Sequence, residues 1–226
     1  MLSVLERIEN TDATQQRLER CDERFAQLMG QSAWQALAPD VQRRFSKMAH
    51  GGESKIYKGI ISETRMSVAG YLLAQMCRVI GGPLPLERHG VGMPAVVTVT
   101  EDGEGDGQFW TRTYGQARGF PQVIHSSKRF TGPTGLEEYI GAGISMALNV
   151  TEDKAGIVFT SASYHINVLG RRITLPKWLM PGVTNVRHDD LGEGYFAFTL
   201  ELRHPLLGEL VYQRAVFSDT GPRQRK

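Results

Sequence analysis

The stretch QFWTRTYG, Gln108 to Gly115, sets Trp110, Arg112 and Tyr114 at alternate positions with Thr111 and Thr113 between them, which is the period of a β-strand. A Trp and a Tyr flanking one Arg make an expensive surface, so the inward face is favoured. An inward guanidinium needs a carboxylate, carbonyl oxygens, water or an anionic ligand group, because leaving it unpaired costs several kcal/mol.

Alternation continues on both sides of this stretch. KIYKGIISETRM begins it at Lys55, and after Met93 come PAVVTVT, QVIHSSKRF, LEEYIG, ISMALNVT, GIVFTSASYHIN, GVTNVRHDD, GYFAFTLELRH and GELVYQRAVF. Turn signals such as Glu101-Asp102-Gly103, Gly132-Pro133, Asp153-Lys154-Ala155-Gly156 and His204-Pro205 separate them. Short connections imply antiparallel pairing. The expected fold is therefore α+β: a strongly curved antiparallel β-sheet or half-open β-barrel with N-terminal helices covering one end.

Helical spacing is confined to the first third. Ser3 and Glu6 form a capping box, Leu18, Cys21, Phe25 and Leu28 recur until Gly30, and Pro39 opens a helix striped by Val41, Phe45 and Met48 that ends at Gly51-Gly52. Residues 1–24 read as an amphipathic helical extension, 25–217 as a single domain, and 218–226 as a disordered basic tail. The most hydrophobic stretch, Met66 to Leu86, is interrupted by Gln75, Arg78, Gly81, Gly82 and Pro83, so it predicts a helix within the protein or over its pocket and no transmembrane segment.

Composition narrows the partners. Lys and Arg total 26 against 24 Asp and Glu, with no basic block before the tail, so nucleic acid is not expected. Cys21 and Cys77, without a CxxC or a signal peptide, predict a reduced cytoplasmic setting. The histidines lack metal-ligand spacing, and no P-loop, GxSxG elbow or GxGxxG turn is present. Neither metal nor cofactor is predicted.

Several ordered marks carry a resemblance: Trp34 and Leu37, Val41 and His50, IYKGII with Tyr57 and Gly59, GGPLPL, FWTRTY, LPKWLMP at Leu175 to Pro181, and FAFTLELRHPLLGELVYQ with Tyr212. From about Phe25 to Phe217 the chain resembles the bacterial family catalogued as domain of unknown function 4166. Members of that family can follow an oxidoreductase-like domain, which implies an oxidoreductase-type protein partner acting on a small molecule. The resemblance assigns no reaction.

Candidate ligand-binding residues are Trp110, Arg112, Tyr114, Tyr57, Trp178, Tyr212 and His50. For Arg112 the alternatives are an ion pair with Glu201 or another strand carboxylate, and a ligand carboxylate or phosphate held between aromatic walls. His50, His125 and His165 could act as acid–base groups, although a helix C-terminus explains His50 equally well. Two prolines bracket Trp178, so its segment should cross the end of the sheet as a stiff flap near the mouth. Tyr57 and Tyr212 become neighbours if the sheet closes. The function expected is binding of an apolar or amphipathic small molecule. The alternatives are a cyclase- or isomerase-type enzyme using the same pocket and an interaction module without a ligand.

Overall fold

The computed structural model describes residues 22–47 and 53–219. Among these residues eleven strands follow three short helices. The helices are α1 (Arg24–Met29), α2 (Gln31–Ala36) and α3 (Pro39–Phe45). The strands are β1 (Lys55–Met66), β2 (Pro94–Asp102), β3 (Gly107–Tyr114), β4 (Gln122–Arg129), β5 (Glu137–Gly141), β6 (Ile144–Asp153), β7 (Gly156–Val168), β8 (Arg171–Thr174), β9 (Val183–Gly192), β10 (Tyr195–His204) and β11 (Gly208–Ser218). Between β1 and β2 lies α4 (Val68–Met76), extended by a 3₁₀ turn over Cys77–Ile80.

The sheet closes, which corrects the half-open expectation. Its order is β6-β5-β4-β3-β2-β1-β11-β10-β9-β7, and β6 then pairs with β7 from Ile144↔Ile166 to Asp153↔Gly156, so ten antiparallel strands form a ring. Closure pairs the edges that an open sheet would leave exposed. The remaining strand, β8, pairs on the far half of β7 through Val168↔Arg171 to His165↔Thr174. Its sequence, RRIT, is too short and too charged to give a strand signal. At Gly59 a Cβ would strike the Val216 carbonyl, so β1 and β11 pair here only because the residue has no side chain.

One end of the barrel is plugged. Phe25 of α1 packs edge-on against Phe45 of α3, Phe130 and Phe159, and Phe45 stacks on Trp110 from β3. Phe196, Phe198, Phe217 and His188 complete an aromatic core in this half. The helices therefore cover one end as expected, while the expected extension before Asp22, the helix end at Met48 to Gly52 and the tail after Asp219 lie outside the described residues.

The opposite end carries α4 and the loops at 115–121, 169–170, 175–182 and 205–207. The Ser67 hydroxyl accepts from the Gly70 N–H at 3.0 Å, capping α4, and the Ser67 N–H donates to the Leu210 carbonyl at 3.0 Å. A Cβ on Gly70 would collide with that same carbonyl, so the glycine seats the helix directly on β11. The helix predicted within Met66 to Leu86 is thus α4 and its 3₁₀ turn, lying over the barrel mouth. Among the described residues no helix is long and apolar enough to cross a membrane.

Candidate functional site

Beyond the aromatic plug the barrel is hollow. A cavity of about 290 Å³ lies between the plug and α4, walled by apolar side chains from most strands and roofed by Leu73, Cys77, Ile80, Leu84 and Leu179. Its floor is Trp110, Phe159, Phe198 and Phe217. The volume sits near the lower edge of the ordinary range for small-molecule sites, roughly 300–1,000 Å³.

Trp110, Arg112 and Tyr114 all face this cavity, as their alternation on β3 requires. Registers Arg112↔Ile124 on β4 and Arg129↔Glu137 between β4 and β5 bring three charges together inside the wall. Arg112 Nη2 donates to Ser126 Oγ at 2.9 Å and to Glu138 Oε1 at 2.8 Å. Lys128 Nζ donates to Glu138 Oε2, also at 2.8 Å. The Lys128 ammonium lies 5.2 Å from the centre of the Trp110 ring and 5.4 Å from that of Phe159, within reach of both quadrupoles.

Glu138 and Lys128 are almost fully buried. Burial alone would raise the Glu138 pKa, but Lys128 and then Arg112 outweigh it and hold the carboxyl well below the usual carboxylate range. Burial lowers the Lys128 pKa, and Glu138 offsets this only in part. With all three ionised the cluster carries one net positive charge in apolar surroundings. Of the Arg112 guanidinium nitrogens, Nη2 alone is hydrogen-bonded to a described residue. Nε and Nη1 are not sealed from the cavity, so they remain available as donors.

The partner of Arg112 is therefore Glu138, while Glu201 binds Arg203 on the outer wall. The sequence reading missed Lys128 and Glu138. Their signal was parity: Lys128 lies two and four residues from Ser126 and Ile124, so a strand that turns Ile124 inward turns Lys128 inward too.

The other predicted residues scatter. Tyr57 lies in the plugged half, edge-on to Phe196, and lines a separate space of about 20 Å³ with Arg44, Lys55, Gln108, Trp110 and His188. Burial pushes its hydroxyl up to about 12. Tyr212 pairs with Arg65 near the mouth end of β1 and faces outward under that guanidinium, 3.8 Å from its ring centre. Closure therefore does not make Tyr57 and Tyr212 neighbours, because the β1–β11 register puts them at opposite ends. Trp178 stands at the mouth but points out, 80% exposed, while Leu175, Leu179 and Pro181 of its segment line the cavity. His50 lies outside the described residues.

Of the other histidines, His125 sits on the outer wall against the Thr111 hydroxyl, and His165 is fixed between Ser163 and Thr174. A histidine not singled out, His188, is enclosed by Phe45, Phe196 and Phe198. Burial, and after it the Arg44 charge, push its pKa down to about 3, so it is neutral at ordinary pH. Among the described residues no group of three or more His, Cys, Asp or Glu could hold a metal ion.

The fold and site define a closed antiparallel β-barrel with one hollow half and a cationic cluster set in its apolar wall. The family model described as "Domain of unknown function (DUF4166)" matches residues 37–217, and the chain belongs to that family. The match begins a dozen residues after Phe25, where the resemblance was expected to start. No curated protein and no solved structure matches the chain.

Proposed function

We propose that the barrel binds an amphipathic small molecule, its apolar chain in the cavity and an anionic head group on the free donors of Arg112. The observation that carries this reading is the net positive cluster in the wall of an otherwise apolar space. Charge pairing satisfies Glu138 twice over, by Lys128 and by Arg112, so the fold holds one more cation than its own carboxylate neutralises. A ligand carboxylate supplies the missing charge and accepts from Nε and Nη1, while hydrocarbon displaces nothing polar.

The acid–base alternative has less support. Glu138 is held ionised by two cations, Lys128 is bonded to it, and the Tyr164 hydroxyl is bonded to Thr184 at 2.8 Å. An oxidoreductase-type partner that delivers or receives the bound molecule remains part of the proposal, as does a cytoplasmic setting.

The test is a titration of Trp fluorescence with dodecanoate and, separately, with dodecanol, using the wild type and Arg112→Met. Dodecanoate binding that weakens about 10- to 150-fold in the variant, the equivalent of a charge-assisted hydrogen bond of roughly 1.5–3 kcal/mol, with dodecanol binding unchanged, is the expected result. Equal affinities for both ligands in both proteins would remove the anionic head group from the reading. No binding of either would remove the ligand.

A further inference from the structure

We infer that the mouth end of the barrel docks on an anionic lipid surface, with exposed apolar side chains of α4 and the neighbouring loops inserted among the lipids. This inference does not depend on what the cavity holds.

The first observation is that α4 is apolar on two sides. Leu73, Ala74 and Cys77 face inward, with Leu73 and Cys77 roofing the cavity, while Val68, Leu72, Met76 and Val79 form a second stripe that is exposed along its length. A helix lying on a protein normally turns charge to solvent. Here Val79 is 87% exposed, and no described element covers the stripe.

The second observation is that this stripe is not isolated. Strand directions place the loops bearing Phe120, Trp178 and Leu206 at the same end, and these residues are 93%, 80% and 88% exposed. Large apolar residues on separate projecting tips form an uneven rim, which suits the headgroup layer of a membrane better than a flat protein partner. A Trp at such a tip has the amphipathic ring favoured at that depth.

Charge supplies the third observation. Arg78 on the α4 turn, Arg118 and Lys177 on the same loops and Arg171 at the start of β8 are exposed and without a carboxylate partner among the described residues. Of the acids at this end, Glu209 binds Arg65, while Glu87 accepts from the His89 and Ala117 backbone N–H groups and keeps its charge, so the four cations are in excess. Turns at the plugged end carry Glu104, Asp106, Asp153 and Glu193 against a single cation, Lys154, with Asp106 bound to Arg24 and Asp153 to Arg187. The molecule is thus polarised along the barrel axis, with its apolar rim and free cations together. Anionic headgroups are complementary to the mouth end.

The experiment is co-sedimentation of the full chain with phosphatidylcholine vesicles, with and without phosphatidylglycerol. The wild type is expected to bind the anionic vesicles, with affinity falling as salt rises, and to bind pure phosphatidylcholine at least tenfold more weakly. Val79→Asp with Leu206→Asp should abolish binding, and Arg78→Gln with Lys177→Gln should reduce it severalfold; all four positions are on the surface, and unchanged circular dichroism would verify folding. Trp178→Phe should keep binding but lose most of the blue shift in emission. Arg112→Met, inside the cavity, should bind vesicles as the wild type does. Failure to bind anionic vesicles, or binding indifferent to the Asp pair, would overturn the inference. So would a concentration-dependent dimer dissolved by the Asp pair, which would give the face to a second copy of the chain.

Discussion

Arg112 and Lys128, on neighbouring strands, hold opposite oxygens of one carboxylate, each at 2.8 Å from Glu138. The three charges are thus unequal in their consequences. Glu138→Gln leaves two cations facing each other without a counter-charge, and should destabilise the protein by about 3–5 kcal/mol. Arg112→Met leaves the Lys128–Glu138 pair intact and costs about 1–2 kcal/mol, chiefly through Ser126 and the lost hydrogen bonds. Urea unfolding of both variants measures this difference. Equal losses would mean that Lys128 does not neutralise Glu138.

Filling the cavity separates space from structure. Ala215 is buried on the inner face of β11 and lines the hollow half. In a packed core Ala→Leu costs about 1–3 kcal/mol, but here the added methyl groups enter open apolar space. Stability of Ala215→Leu should stay level or rise by about 1 kcal/mol, while dodecanoate affinity falls. A large loss of stability in chemical denaturation would mean that the space is not open to side chains.

His188 makes a prediction about acid. Its folded pKa is about 3 and its unfolded value about 6.5, so between these values the unfolded chain binds the extra proton. Stability is fully present above pH 6.5 and falls as the pH drops toward 3, by at most about 1.4 kcal/mol per pH unit from this group. His188→Phe keeps an aromatic ring among Phe45, Phe196 and Phe198 and removes the titration. Thermal melts from pH 7 to pH 4 should show the variant losing less stability than the wild type. Parallel curves would mean that His188 takes up its proton as readily in the folded protein as in the unfolded chain.

The alternation of QFWTRTYG fixes which side chains share a face, and the structure places Trp110, Arg112 and Tyr114 on one, as that parity requires. Parity does not supply register. Glu138 meets Arg112 across β4 because Arg129 pairs with Glu137, a register that the intervening residues 130–136 do not spell out, so LEEYIG could not be singled out from its own residues. The same gap separates Tyr57 from Tyr212: both were placed on strands correctly, and only the β1–β11 register shows them at opposite ends. The β6–β7 hairpin is legible from its Asp153-Lys154-Ala155-Gly156 turn, but closure also needs the long-range pairings β1–β11 and β7–β9, which no local pattern records.

The last prediction concerns the seat of α4. Gly70 lies against the Leu210 carbonyl with no space for a Cβ, and this contact holds the helix over the cavity. Gly70→Ala would gain helix propensity, worth roughly 1 kcal/mol in an unhindered helix. The collision is with backbone, which cannot rotate away, so the helix must lift from β11 at a net cost of about 1–3 kcal/mol. Cys77 reports the displacement, because its thiol lines the cavity roof, half-buried, and burial raises its pKa. In a Cys21→Ser background, Cys77 should react slowly with a thiol-specific aromatic disulfide, and Gly70→Ala should accelerate labelling severalfold under native conditions. Adding dodecanoate should slow both reactions by occupying the space under the roof. Labelling unchanged by Gly70→Ala would show that α4 is held by its N-cap at Ser67 and its apolar contacts, and that the close approach at Gly70 does not position the lid.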